Sequence, residues 1–320
     1  MNENKQKKVL PLDTDVLVKT YAYFGDYLSI LKGNGYDYEK ILFDCFLKMD
    51  YIPLTGQVNF QHKKKLKSLM EVENINCNKN QIINYVMDSI NNDYYVHIFM
   101  DDNKFSDNIY NLGVHNWMVY GYDQERDKIY LLGFIYDAHF LTYKRIELNY
   151  ETFENAVVLE LNSTQKRRIS NNQISKIPDN FIYNSKNSKL KKYLNIVNFY
   201  LIHLNVFSFL AFHNFMFSFL GFNPYKRRFL DLRDIRIVYE QILVFSKFIN
   251  KYSFNDEHNE QLDTIKKLGE NTLNIAAKYH FKENKSEKRK FSKSVNKNLY
   301  KIKCYENLLF KSVLSDYLKN

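Results

Sequence analysis

The stretch HNWMVYGYDQERDKIYLLGF, residues 115–134, decides the fold. Two short runs rich in aromatic and β-branched residues flank the polar segment DQERD, the pattern of antiparallel strands joined by a tight hairpin. Asp123 and Asp127 bound that turn, where an Asp side chain can bond to nearby backbone groups. A histidine, His115, opens the first strand. A single histidine on a strand is ordinarily a satisfied structural residue, so any chemistry it performs depends on what surrounds it. DYYVHIFMD before the hairpin and YKRIELN after it have the same strand character.

Upstream the period changes. Apolar residues recur at helical spacing from about Val18 to Leu31, and Gly33 and Gly35 stop that helix. A second helical pattern runs from Tyr38 to Met49. A third starts at Asn78 and places Ile82, Ile83, Val86 and Ile90 on one face. From Asn162 to Lys189 the chain is polar. Beyond it the patterns, roughly 189–221, 231–252, 258–281 and 286–319, are longer than strands. The expected architecture is therefore α+β, with residues 1–165 as a helix-and-antiparallel-sheet domain, 166–187 as a linker or crossing segment, and 188–320 as an all-α domain.

Composition supports compact, helix-rich domains: 320 residues, 16% aromatic, with 9 Gly and 4 Pro. The formal charge of +10 permits an acidic partner without choosing one. Residues 278–303 hold ten Lys/Arg against two acidic residues. On a helix this basic surface would attract an acidic carrier protein; no Cys/His finger or RNP-type motif points to nucleic acid. Cys45, Cys77 and Cys304 lack CxxC spacing, and no secretory leader pattern is read at the N-terminus, so a reducing cytoplasm is the expected compartment. The eight histidines form no HExxH or paired Cys/His pattern, and no Gly-rich phosphate loop occurs; neither a metal nor another cofactor is expected. Tyr193 to Tyr225 inclusive are 33 residues without Lys, Arg, Asp or Glu, long enough to span a bilayer. Asn195, Asn198, His203, Asn205, His213 and Asn214 inside it favour a pair of core helices instead.

YAYFGDYLSILKGNGYD (21–37), the 115–134 hairpin, YETFENAV (150–157) and DLRDIRIVYEQ (231–241) together resemble the family of butirosin biosynthesis protein H. These are papain-like proteins that move acyl groups from a carrier protein's thioester onto an amine. The resemblance implies a papain-like N-terminal domain with a cysteine at the start of the first core helix, a histidine opening a strand, and a carboxylate on the following strand. That arrangement would have the helix start and the imidazole face one another across a crevice. A thiolate would attack the acyl carbonyl, the imidazole would move protons, and the carboxylate would hold its tautomer.

His115 falls at the histidine position. The nucleophile position falls on Ala22 and the carboxylate position on Gly133, so two of the three roles are empty. Asp26, one helical turn past Ala22, and Asp137, four residues past Gly133, are candidate substitutes. Tyr21 and Tyr23 flank Ala22 as candidate substrate-lining residues. Cys45 in KILFDCFLK sits among apolar neighbours and reads as an inert thiol. Arg233 and Glu240 are candidates because their segment carries much of the resemblance, although Arg236 and Glu240, four apart, suit an ion pair on one helix.

Two functions follow. One is an accessory protein of peptide or natural-product assembly, a degenerate acyltransferase that binds a carrier-bound acyl thioester or its amine acceptor. The other is an active amide-forming enzyme in which His115 serves as general base without a covalent intermediate. A membrane- or nucleic-acid-associated protein is the remaining alternative.

Overall fold

The computed structural model describes residues 6–46, 49–52, 57–60, 66, 68–74, 77–106, 112–137, 140–159, 164–170, 232–251 and 256–280, with single residues and short runs between 290 and 312. The class is α+β, mixed helix and antiparallel sheet. In chain order the elements are β1 (Lys7–Val9), α1 (Ala22–Gly33), α2 (Tyr38–Phe46), β2 (Met49–Ile52), β3 (Gln57–Phe60) and β4 (Met70–Asn74). Then follow α3 (Ile82–Asn91), β5 (Tyr95–Asp101), β6 (Val114–Asp123), β7 (Lys128–Asp137), β8 (Phe140–Leu148), α4 (Tyr150–Ala156), β9 (Val157–Val158), β10 (Gln165–Ile169), α5 (Leu232–Lys251) and α6 (Asp256–His280).

Two compact units form, and the chain passes between them more than once. Unit 1 comprises residues 1–38 and 64–177, and unit 2 residues 39–63 and 178–320. The expected boundary is thereby revised in two places. Residues 166–169, assigned to the linker, form β10, which pairs antiparallel with both β4 and β5. Residues 39–63, assigned to the first domain, belong with the C-terminal residues, and the Lys247 ammonium sits 2.9 Å from Glu39 Oε1 within that unit. The second helix ends at Phe46, short of the expected Met49, which starts β2.

Unit 1 is built on a sheet of order β4-β10-β5-β6-β7-β8, with β1 beside β6 and β9 beside β5, all antiparallel. The β6–β7 hairpin closes as its sequence suggests. Asp123 Oδ1 accepts from the Arg126 N–H at 3.1 Å, and Asp127 takes φ 55°, a left-handed conformation that Asp tolerates.

Strand alternation divides the side chains between two faces. The register His97↔Met118, Phe99↔Asn116 and Met100↔His115 puts His97, Asn116 and Met118 on one face and Met100, His115 and Trp117 on the other. α1 lies on the His97 face: Asp26 meets His97, and Gly25 packs so closely on Tyr143 that a Cβ there would stand 2.9 Å from the ring. α3 lies on the His115 face, where its Asn91 accepts from the Tyr122 hydroxyl at 2.8 Å, and α4 packs beside α3 and against β7. Phe24, Leu28 and Leu31 from α1 and Val86, Ile90 and Phe153 from α3 and α4 are fully buried, so both faces carry a hydrophobic layer.

α1 starts at Ala22, not at Val18. Val18 is buried in an extended strap that crosses the sheet before the helix. Tyr21 keeps an extended backbone at the helix start, and Gly35, at φ 76°, ends the helix turn.

Candidate functional site

Two polar clusters occupy the two faces of the β5–β6 pair. On the α1 face the Tyr143 hydroxyl donates to Asp26 Oδ1 at 2.5 Å. Asp26 Oδ2 lies 3.3 Å from His97 Nδ1, out of hydrogen-bonding alignment, and among the described residues finds no other donor. Arg167 Nη1 stands 3.4 Å from His97 Nε2. Asn116 Nδ2 stands 3.5 Å from His97 Nδ1, so a group that only donates faces each ring nitrogen. The Arg167 guanidinium also lies over the Tyr27 ring, 5.1 Å from its centre.

His97 and Asp26 are each 1% exposed, whereas Tyr143 and Arg167 are half-buried. Burial raises the Asp26 carboxyl to about 7, against the Tyr143 hydrogen bond and the Arg167 charge, which both pull it down. Burial first, and Arg167 second, hold His97 well below its ordinary value of 6.5. Burial and the Asp26 charge push Tyr143 well above its ordinary value of 10.0.

On the opposite face His115 Nε2 stands 2.9 Å and 3.0 Å from the two oxygens of Asp102, which belongs to a single 3-10 turn (Asp102–Lys104) directly after β5. Trp117 Nε1 donates to Asp102 Oδ1 at 3.2 Å. Asp102 is 1% exposed, whereas the His115 side chain is 18% exposed. His115 Nδ1 is 3.2 Å from the Asn116 carbonyl oxygen. The Trp117 indole, wholly buried, is braced by Phe105 edge-on at 5.6 Å between ring centres. A partly open imidazole backed by a buried carboxylate is equipped to accept or release a proton at its outer nitrogen.

The structure distributes the expected residues as follows. Ala22, Tyr21 and Tyr23 are half-buried at the start of α1, where Tyr21 and Tyr23 stack with ring centres 6.0 Å apart. The imidazole that shares the α1 face is His97; His115 is directed to the other face, so the expected meeting of helix start and His115 is not what the register gives. Asp26 is fully buried and tied to Tyr143. Gly133 lies against Trp117, whose Cε3 would be 2.5 Å from a Cβ there. Asp137 is the last residue of β7, and its side chain lies outside the described residues. Cys45 is buried.

Arg233 and Glu240 lie on α5 in unit 2; Glu240 is buried and accepts from Arg236 Nε at 3.2 Å, and the Arg233 side chain lies outside the described residues. Asp102, His97, Tyr143 and Arg167 were not singled out by sequence reading. Among the described residues no group of three or more His, Cys, Asp or Glu could hold a metal ion, and no helix is long and apolar enough to cross a membrane. Residues 193–225 lie outside the described residues.

No protein-family model and no curated protein sequence matches this chain.

Proposed function

We propose that the chain is an accessory protein of peptide or natural-product assembly, a degenerate acyltransferase that binds a carrier-delivered acyl thioester or its amine acceptor. The observation that carries this reading is the α1 face itself. A methyl group stands at Ala22, and one turn on, Asp26 and His97 are both buried, with Asp26 tied to the half-buried Tyr143. α1 itself carries no cysteine.

The basic C-terminal stretch supplies a docking surface. Lys290, Lys293, Lys297 and Lys301 are exposed, while Val295, Ile302 and Leu309, seven residues apart, are buried. That spacing turns the lysines outward on one side of a helix, complementary to an acidic carrier domain. Residues 281–289 of the same stretch lie outside the described residues.

A second reading has its own support. The His115–Asp102 pair is built as a proton-transfer dyad, so His115 acts as general base on an amine that attacks an already activated thioester. One experiment separates the two. The purified chain is mixed with acyl-loaded carrier protein and a panel of amines, with binding read by calorimetry and amide formation by mass spectrometry. The accessory reading expects binding that weakens with salt and with charge reversal of the four lysines, and no amide above the rate without the chain. Amide formation lost in His115→Ala establishes the second reading instead; absence of binding to any carrier overturns the first.

A further inference from the structure

We infer that Asp102 is the positioning residue of His115, taking the role that the family resemblance gives to residue 133, and that it holds the proton of the neutral ring on Nε2, leaving Nδ1 as the nitrogen that gains and loses a proton. Three observations converge. First, both oxygens of the buried Asp102 carboxylate lie within 3.0 Å of Nε2, so the proton on Nε2 stays with Asp102 in either charge state of the ring. Second, the carboxylate is itself held: Trp117 Nε1 donates to Oδ1, and the Asp102 N–H donates to the Gly113 carbonyl at 3.1 Å, which fixes the turn to the start of β6. Third, residue 133 is closed to any side chain. The Trp117 indole fills that space, with three ring atoms within 3.0 Å of where a Cβ would stand.

Trp117 therefore links the two changes. The ring that forbids a carboxylate on β7 is the ring that anchors one after β5. A carboxylate reaching His115 from the β5 side also leaves Nδ1 facing, among the described residues, the carbonyl oxygen of Asn116, an acceptor for the proton that Nδ1 takes up. The tautomer assignment stands whatever His115 does; its catalytic meaning rests on the general-base reading above.

The test reads the ring directly and needs no substrate. The full chain is labelled with 15N-histidine, the His115 signals are assigned with His115→Gln, and long-range proton–nitrogen correlations are recorded at pH 8. The expected spectrum has a protonated Nε2 and an unprotonated Nδ1. In Asp102→Asn the carboxamide can accept or donate, so the proton spreads over both nitrogens and the Nε2–H preference falls several-fold. Trp117→Phe, which keeps the carboxylate, retains the wild-type tautomer.

A wild-type spectrum with the proton on Nδ1, or an Asp102→Asn spectrum identical to wild type, overturns the inference. If Asp102→Asn does not fold, the wild-type and Trp117→Phe spectra decide. An inactive protein with the expected tautomer would sink the general-base reading alone.

Discussion

At the scale of single residues, the Asp26–His97 pair makes opposing demands on pH. Asp26 is raised from its ordinary 3.8 to about 7, so by itself it makes the folded state lose stability as pH climbs from about 4 to about 7. His97 is held well below 6.5, so by itself it makes the folded state lose stability as pH falls below about 6.5. Just below pH 6.5, where the two windows overlap, the unfolded chain carries the proton on His97 and the folded chain carries it on Asp26, so the two slopes oppose one another. Asp26→Asn removes one side of that balance. The variant is expected to lose roughly 1–2 kcal/mol relative to wild type between pH 7 and pH 5, read from urea midpoints. A second residue-scale prediction concerns Gly133→Ala: its new methyl drives into a fully buried indole, and overpacking of this kind costs about 1–3 kcal/mol, seen as a lowered thermal midpoint.

What sequence could show at this scale was uneven. The turn roles of Asp123 and Asp127 were legible because they depend only on neighbours. Asp102 was not: it reads as an ordinary turn former, and its bond to His115 exists only because β5 and β6 pair in one particular register across the intervening excursion. Arg167 meets His97 across 70 residues, and nothing local marks that contact. Alternation alone would have put His115 and Asn116 on opposite faces, but not which face α1 would cover.

At the scale of elements, the extended strap before α1 holds the helix to the sheet. Leu10 N–H donates to the Tyr120 carbonyl at 2.8 Å, the Tyr95 hydroxyl to the Pro11 carbonyl at 2.5 Å, and the Lys32 ammonium sits 3.0 Å from Asp13 and 3.4 Å from Asp15. Gly33 allows this closeness: a Cβ there would lie 2.5 Å from the Leu12 backbone, which cannot yield as a side chain tip can. Gly33→Ala is expected to lift the strap from the last turn of α1 and cost roughly 1–3 kcal/mol, with faster amide hydrogen exchange confined to residues 10–16 and 30–35. The same face supplies a companion test. Tyr143→Phe deletes the only hydrogen-bond donor described for the Asp26 carboxylate, at a cost of about 1–3 kcal/mol in chemical denaturation at pH 8. The hairpin and its neighbouring strands were legible as elements because alternation and turn residues agree there. β10 was not, because QKRRI carries no apolar alternation and becomes a strand only by lying between β4 and β5.

At the scale of the whole molecule, unit 2 is assembled from two stretches of chain, and the ion pair between Lys247 and Glu39 belongs to that assembly. A fragment ending at residue 177 keeps the sheet of unit 1 but strands residues 39–63 without partners. Such a fragment is expected to be less soluble than the full chain, and limited proteolysis should cut it first within 39–63. A fragment of 64–177 preceded by 1–38 through a short Gly/Ser bridge should restore solubility.

The split of unit 2 has a consequence during synthesis. The β2–β3 ribbon leaves the ribosome about 170 residues before α5, a described C-terminal element that it meets, a wait of roughly 8–34 s at usual elongation speeds. For that interval a nascent amphipathic segment hangs out between two parts of a domain that is itself still closing. The order of translation thus makes this early loop the place where a holding chaperone would act, and slow codons downstream of residue 63 would lengthen its exposure.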